Sequence, residues 1–195
     1  MRKVRRYDIL NQCWTDVWQL VAIGDSDWQQ LKRLGVKQLF ELATQPERSE
    51  LSDLAARVMI KDYPTDRETH DLILLSSKNP LSSDRIFFAS NQLFQPILEQ
   101  IAFISKDACL EAREAAISVL LWQQFDFTRY QHLLRQYLNT HLQIPAAAAL
   151  ASTGSRQGES LLARALPQTR FYGEVLQFIE AIYLRGWRQH KPFPL

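Results

Sequence analysis

The chain has 195 residues, of which 46% are hydrophobic and 23% are charged. This composition is that of a globular domain and excludes a disordered chain, and the length fits one domain or one domain with a small subdomain. The formal net charge is only +2. The overall charge balance therefore gives no electrostatic argument for a nucleic-acid partner.

The first third of the chain predicts short helices separated by clear breaks. Residues 7–23 form the first predicted helix, because apolar side chains recur there at helical spacing: Leu10, Trp14, Val17 and Val21. Ser26 and Gln29 predict a capping box for a second helix, which we expect to end at a left-handed Gly35. Thr65 and Glu68 predict another capping box after two further helices.

The middle of the chain carries stronger helix signals. Asn79-Pro80 predicts a helix start with Asn79 as the N-cap, and the bulky run 86–88 is expected to be buried. Residues 92–105 predict a helix with Pro96 in its first turn, because proline in a helix interior costs roughly 3 kcal/mol. Asp107 is the predicted cap of the longest helix, at 108–124.

The composition shifts after residue 144. An alanine-rich helical turn at 145–150 precedes a predicted loop at 152–158, with the sequence STGSRQG. A short helix near 159–166 and a helix at 170–185 with a basic tail follow. We therefore divide the chain into a main helical domain (1–144), a short helix and loop (145–158) and C-terminal helices with a basic tail (159–195). The predicted fold class is all-α, an irregular orthogonal helical bundle of about 9–11 short to medium helices.

No catalytic or metal-binding constellation is recognisable. Gly24-Asp25-Ser26 superficially matches the nucleophile block of GDS-type esterases, but no alternating strand pattern surrounds it and no aspartate stands three residues before His190. The other histidines are not spaced as helical metal ligands, and the two cysteines, Cys13 and Cys109, are expected to be reduced. We expect no enzyme activity, no cofactor and no metal.

A helix-turn-helix is the sharper functional hypothesis. The segments 27–44 and 80–104 could each host one, with turns at Gly35 and Asn91. In the second segment glutamine side chains could contact bases, because glutamine pairs bidentately with adenine, and nearby cations could contact phosphates. The predicted DNA-binding residues are Lys78, Arg85, Gln92, Gln95, Gln100 and Lys106.

Positive charge is concentrated at the two ends of the sequence. The basic terminal patches are Arg2, Lys3, Arg5 and Arg6 at the start, and Arg185, Arg188 and Lys191 at the end. They are either solvated or contact a phosphate or an acidic protein surface. No apolar run is long enough for a transmembrane helix, and no signal core follows the basic start, so we expect no membrane insertion and a cytoplasmic location.

Residues 70–142 resemble the C subunit of the bacterial flagellar master transcriptional regulator and related regulators of conjugative elements. The resemblance rests on HDLILLSSKNPLSSDRIFFASNQLFQPILEQI and REAAISVLLWQQFDFTRYQHLLRQYL. It implies a helix-turn-helix followed by a long helical pair, and a role in transcription. That family also carries a four-cysteine zinc cluster near its end, but this chain has no cysteine after Cys109. The resemblance therefore assigns no zinc ligand here.

Two functions follow as hypotheses. The first is a non-enzymatic bacterial-type regulatory protein that binds DNA or works with a DNA-binding partner. The alternative is a helical adaptor or assembly component, with an aromatic docking surface for another protein. A contiguous basic face beside residues 85–106 would favour DNA, whereas an apolar groove would favour protein. Oligomerisation is left open by the sequence.

Overall fold

The computed structural model describes residues 2–8, 13–19, 25–45 and 49–165. Its first element is a hairpin, in which β1 (Arg2–Asp8) pairs antiparallel with β2 (Cys13–Gln19). The helix predicted over residues 7–23 is therefore wrong for the residues in these strands. Four of the five residues from Trp14 to Trp18 are aromatic or β-branched, and these residue types favour a paired strand over a helix.

Residues 25–45 and 49–165 form helices and their connections without any strand, which confirms the all-α bundle. The α-helices are α1 (Asp25–Lys32), α2 (Val36–Ala43), α3 (Glu50–Asp62), α4 (Arg67–Ser76), α5 (Gln95–Glu99), α6 (Leu110–Trp122), α7 (Gln131–Tyr137), α8 (Gln143–Ser152) and α9 (Arg156–Ala165). Shorter-pitch 3₁₀ helices occupy Pro80–Phe88, Gln92–Phe94 and Thr128–Tyr130, and a π-helical turn occupies Gln100–Ile104.

Several predicted helix ends are displaced by one to three residues. Helix α1 already begins at Asp25, so Ser26 lies inside its first turn and is not the N-cap. Gly35 has φ −70° and is the N-cap of α2, so it is not a left-handed residue that ends α1. The N-cap of α4 is Asp66. The N-cap of α6 is Cys109 and not Asp107, and the Cys109 backbone N–H donates to the Ser77 carbonyl at 2.8 Å.

Two predicted helix starts in the middle of the chain are confirmed. The Asn79 side chain accepts a hydrogen bond from the Leu81 backbone N–H at 3.0 Å, and Pro80 occupies the first helical position. Pro96 lies in the first turn of α5, where its missing N–H leaves no helical hydrogen bond unmade. The segment Gln92–Ile104 is helical throughout, as predicted, but it passes from 3₁₀ to α to π geometry.

The core consists of two groups of buried side chains. The smaller group joins α1 to α4 and includes Leu31, Leu39, Leu54, Met59 and Leu72. The larger group is centred on α6 and extends from Ile60 of α3 to Leu162 of α9. Because α3 and α4 supply side chains to both groups, the two halves of the bundle pack on shared helices.

Helix α8 is buried on nearly every side, as expected for a helix that is apolar all round. Pro145 and the run Ala146–Ala151 are buried, and α8 packs against α6, α7 and α9. Helix α9 begins at Arg156, so the loop predicted at 152–158 shrinks to residues 153–155. The helix predicted at 170–185 and the basic tail lie outside the described residues.

Arg85 of the 3₁₀ helix Pro80–Phe88 connects three elements through hydrogen bonds. It is buried, with only 6% of the residue exposed. Its Nε donates to Asp53 Oδ1 at 2.9 Å, and its NH2 group donates to Ser52 Oγ at 3.1 Å, both on α3. Its NH1 group donates to the carbonyl of Ala43, the last residue of α2, at 2.8 Å. The guanidinium therefore fixes α2, α3 and the 3₁₀ helix relative to one another.

None of the described helices is both long and apolar enough to cross a lipid bilayer. The longest ones, α3 and α6, have 13 residues each. About 20 residues are needed to span the hydrocarbon layer.

Arg85→Met should lower the free energy of unfolding by about 3 kcal/mol, because it removes the buried cation of an ion pair and leaves the half-buried Asp53 without it. Arg67→Met is the matched control, since Arg67 is 91% exposed in its pair with Asp71 and such pairs contribute little. Urea denaturation followed by far-ultraviolet circular dichroism measures both. Equal midpoints for the two variants would contradict the anchoring role of Arg85.

Gly158→Ala should destabilise the protein by about 1–3 kcal/mol, as overpacking does. A Cβ atom at Gly158 would lie 2.6 Å from both the Ala147 carbonyl oxygen and the Ala151 backbone nitrogen, so α8 and α9 would have to separate. Ser160→Ala, at an exposed position of α9, is the control and should be neutral or slightly stabilising. Thermal unfolding that shows stabilisation by Gly158→Ala would disprove this close packing.

Candidate functional site

The 3₁₀ helix Pro80–Phe88 determines which side chains around residue 87 face solvent. Side chains three residues apart eclipse one another in this geometry. Ser83, Ile86 and Ala89 are accordingly buried, whereas Asp84 and Phe87 on another face are exposed. The expectation that residues 86–88 are all buried is therefore correct for Ile86 and wrong for Phe87, and Phe88 is half-buried.

The opposite wall of the site comes from α3. Arg57 and Lys61 are four residues apart on this helix, so they lie on one face, and both are exposed. Between them Ile60 turns inward and is buried. The Arg57 guanidinium carbon lies 4.2 Å from the centroid of the Phe88 ring, which is cation–π geometry across the two walls.

An open groove of about 630 Å³ lies between these walls. Its lining combines two cationic side chains, apolar and aromatic side chains, and two small polar residues: Arg57, Ile60, Lys61, Phe87, Phe88, Ser90 and Asn91. This volume falls within the range of roughly 300–1,000 Å³ that is common for ligand sites. The groove is thus large enough to receive several side chains of a partner.

An exposed aromatic pair extends the groove surface. Phe87 is 39% exposed and Trp122, the last residue of α6, is 42% exposed. Their ring centroids are 6.1 Å apart with an interplanar angle of 39°. Large aromatic side chains exposed side by side are typical of interaction surfaces, since they bury much apolar area when a partner covers them.

Gln123 contacts the linker between the 3₁₀ helices, which contains the groove-lining residues Ser90 and Asn91. Its Nε2 donates to the carbonyl of Ala89 at 3.1 Å and to the carbonyl of Asn91 at 2.9 Å. The Asn91 side chain in turn accepts from the Leu93 backbone N–H at 3.0 Å. These contacts attach the linker to the end of α6, next to Trp122, and so fix the position of the aromatic pair relative to the groove.

The charged residues that α3 supplies to the groove lining are Arg57 and Lys61. Asp53 lies one helical turn before Arg57 and is the carboxylate best placed to pair with it. Asp53 instead binds Arg85. Among the residues that the structure describes, no carboxylate lies within 4.0 Å of the Arg57 guanidinium. Within the part of the chain that the structure describes, Arg57 therefore has no carboxylate partner, and its charge lies beside an aromatic ring.

The predicted DNA-binding residues do not meet at this groove. Lys78, Gln92, Gln100 and Lys106 are exposed and Gln95 is half-buried, but none of them lines the groove. Arg85 is buried, and its guanidinium nitrogens bind Ala43, Ser52 and Asp53, so the prediction that it contacts phosphate is wrong. Of the basic terminal patches, residues 2, 3, 5 and 6 belong to β1, while 185, 188 and 191 lie outside the described residues.

The two helix-turn-helix segments have different geometries. In the segment 80–104 the first element is a 3₁₀ helix and not an α-helix, and both elements pack on α6. In the segment 27–44, α1 and α2 are α-helices joined by a short turn, and both pack against α3. The second arrangement is nearer to the regular form of the motif.

Two described groups have raised pKa values, and both belong to structural contacts. Burial raises the pKa of the Tyr130 hydroxyl, and its hydrogen bond to Glu99 adds to the effect. Burial likewise raises the pKa of the Cys109 thiol, with a smaller contribution from Glu111. Both shifts favour the protonated, uncharged form, which is the less nucleophilic one.

Within the described ranges, no group of three or more histidine, cysteine, aspartate or glutamate side chains could hold a metal ion. A second depression of about 280 Å³ between α2, α4 and the 3₁₀ helix includes the exposed Leu75 and Leu81. Its charged lining residue, Arg85, is already bound to Asp53. The groove beside Arg57 is therefore the better candidate for a functional site.

Two sequence signals for the groove were present but ambiguous. Arg57 and Lys61 have the i, i+4 spacing of a helix face, which usually indicates only a solvated surface. Phe87 and Phe88 are adjacent aromatics, which usually indicate core. Only the packing of α3 beside the 3₁₀ helix brings these two pairs to one groove.

Comparisons of the chain with protein-family models, with curated proteins and with solved structures found no match.

Proposed function

We propose that this chain is a non-enzymatic helical adaptor or assembly component that binds another protein through the groove beside Arg57. The observation that carries the proposal is the exposed Phe87–Trp122 pair next to an open, aromatic-lined groove. Tryptophan, arginine and other large side chains dominate the binding energy of protein interfaces. The site contains these residue types together.

The rigidity of the site supports the same proposal. Arg85 fixes the 3₁₀ helix to α3, and Gln123 fixes the following linker to α6. Both walls of the groove are therefore held in place before a partner arrives. A preformed surface loses less conformational entropy on binding, which leaves more of the contact energy for affinity.

A regulatory protein that binds DNA is the second candidate. Gln92, Gln100, Lys78 and Lys106 are exposed and could contact bases and phosphates. This is also the function that the resemblance to flagellar and conjugative-element regulators implies. The burial of Arg85 removes one of the three phosphate contacts predicted for the DNA-binding candidate. The adaptor candidate gives the exposed side chains of Phe87 and Trp122 a role, and the DNA-binding candidate does not. We therefore place the adaptor first.

Replacing both Phe87 and Trp122 by serine should abolish binding of the partner protein. Each side chain should contribute about 2 kcal/mol, or roughly thirtyfold in affinity, if it acts as an interface hot spot. The matched control is Leu93→Ser, because Leu93 is 53% exposed but lies outside the groove lining. Quantitative affinity capture from lysate of the source organism identifies the partner, and titration of the purified pair measures the loss. Equal affinity of the double variant and the control for this partner would refute the proposal.

The adaptor proposal expects genomic DNA fragments to bind no tighter than about 10⁻⁴ M, the weak end of non-specific affinity. Fluorescence anisotropy at two salt concentrations measures this. The DNA hypothesis instead expects tighter binding, and a decrease of about one in the salt slope for Lys106→Glu. Arg164→Glu on α9 is the control for a change in net charge, since Arg164 is exposed and lies outside both candidate helix-turn-helix segments. A smaller slope for Lys106→Glu but not for Arg164→Glu would place the DNA hypothesis first.

A further inference from the structure

We propose that the occupant of the groove is an acidic peptide segment of the partner that carries an aromatic residue. This inference rests on the proposed function and specifies the chemistry of its site. The groove offers positive charge at one wall and aromatic surface at the other. A segment that combines carboxylates with one aromatic side chain matches both.

The carboxylates of such a segment are expected at Arg57. The guanidinium lies over Phe88, which limits the conformations of its long side chain and orients its N–H groups. An arginine ordered in this way can bind a carboxylate through two parallel hydrogen bonds. Since no described carboxylate pairs with Arg57, a carboxylate of the partner could form an ion pair with its guanidinium.

The aromatic residue of the segment is expected at the Phe87–Trp122 pair. The two rings are tilted by 39° with centroids 6.1 Å apart, and each leaves part of its surface open to solvent. Offset or edge-to-face contact with a third ring would stabilise the complex by about 0.5–1.5 kcal/mol beyond the buried area. Because this pair extends beyond the groove, the occupant spans both surfaces, which favours a peptide over a small molecule.

The number of cations favours a peptide over a nucleic acid strand. The groove lining contains two cationic side chains, Arg57 and Lys61, and the whole chain has a net charge of only +2. A single strand brings one phosphate for each nucleotide and needs a positively charged track along its backbone. Arg57, with Lys61 on the same face of α3, instead matches a segment with one or two carboxylates.

The test uses the whole 195-residue chain and a labelled peptide of about 12 residues, which spans up to about 40 Å when extended. The probe peptide contains two adjacent glutamates, one tryptophan and otherwise glycine and serine. One control peptide has lysines in place of the glutamates, and a second has serine in place of the tryptophan. An oligothymidylate of similar length represents nucleic acid. Fluorescence anisotropy measures each affinity. We expect the acidic aromatic probe to bind at least about tenfold tighter than the other three.

The protein variants test where the probe binds. Arg57→Glu should weaken binding of the acidic probe at least about tenfold, and Arg57→Lys, which keeps the charge but loses the planar fork, should weaken it less. Arg67→Glu reverses a charge on the exposed surface of α4 and should have no effect. Thermal melting by circular dichroism verifies that each variant is folded before its affinity is compared.

The inference is overturned if the lysine peptide or the oligothymidylate binds as tightly as the acidic probe, or if Arg57→Glu and Arg67→Glu behave alike. It is also overturned if no peptide binds while the Phe87 and Trp122 replacements still abolish binding of the natural protein partner. That last result would leave the adaptor function intact. Retention of the natural partner by the double variant would instead refute the adaptor function itself.

Discussion

The buried guanidinium of Arg85 is the contact on which the candidate site depends. It lies where the end of α2, the first turns of α3 and the 3₁₀ helix meet, and it donates hydrogen bonds to the Ala43 carbonyl, Ser52 Oγ and Asp53 Oδ1. A buried charge is costly unless its partners satisfy it, so the three elements must keep their relative positions. The orientation of the 3₁₀ helix against α3 in turn sets the width of the groove.

The same ion pair shapes the electrostatics of the groove. Asp53 would be the natural i, i+4 partner of Arg57, but it binds Arg85 on the inner side of α3. Arg57 is left to stack on Phe88 and to carry its charge at the groove wall. Gln123 adds the second constraint, because its amide holds the linker after the 3₁₀ helix against α6. One buried pair and one buried amide thus fix both walls.

These constraints support the proposed binding function. The groove has a rigid shape, a local positive charge and an exposed aromatic pair, which are the features of a surface that recognises a partner. The residues singled out for DNA contact are distributed differently: Arg85 is structural, Gln95 is half-buried, and Lys78 and Lys106 lie outside the groove. The adaptor hypothesis expects an aromatic docking surface, and we propose the exposed pair Phe87 and Trp122 as its location.

The sequence by itself determined the helical class of residues 25–45 and 49–165, the start at Asn79-Pro80, the place of Pro96 in a first turn and the weak overall charge. These features are local, since caps, proline geometry and apolar spacing act within a few residues.

Tertiary structure decided the rest. Residues 2–8 and 13–19 pair with each other as strands, although the apolar spacing predicted a helix over residues 7–23. Residues 80–88 pack on α6 as a 3₁₀ helix, in which side chains three residues apart lie on one face, and this geometry leaves Phe87 exposed. Burial of Arg85 depends on Asp53, 32 positions away in the sequence, and such a contact leaves no local pattern from which it could be predicted.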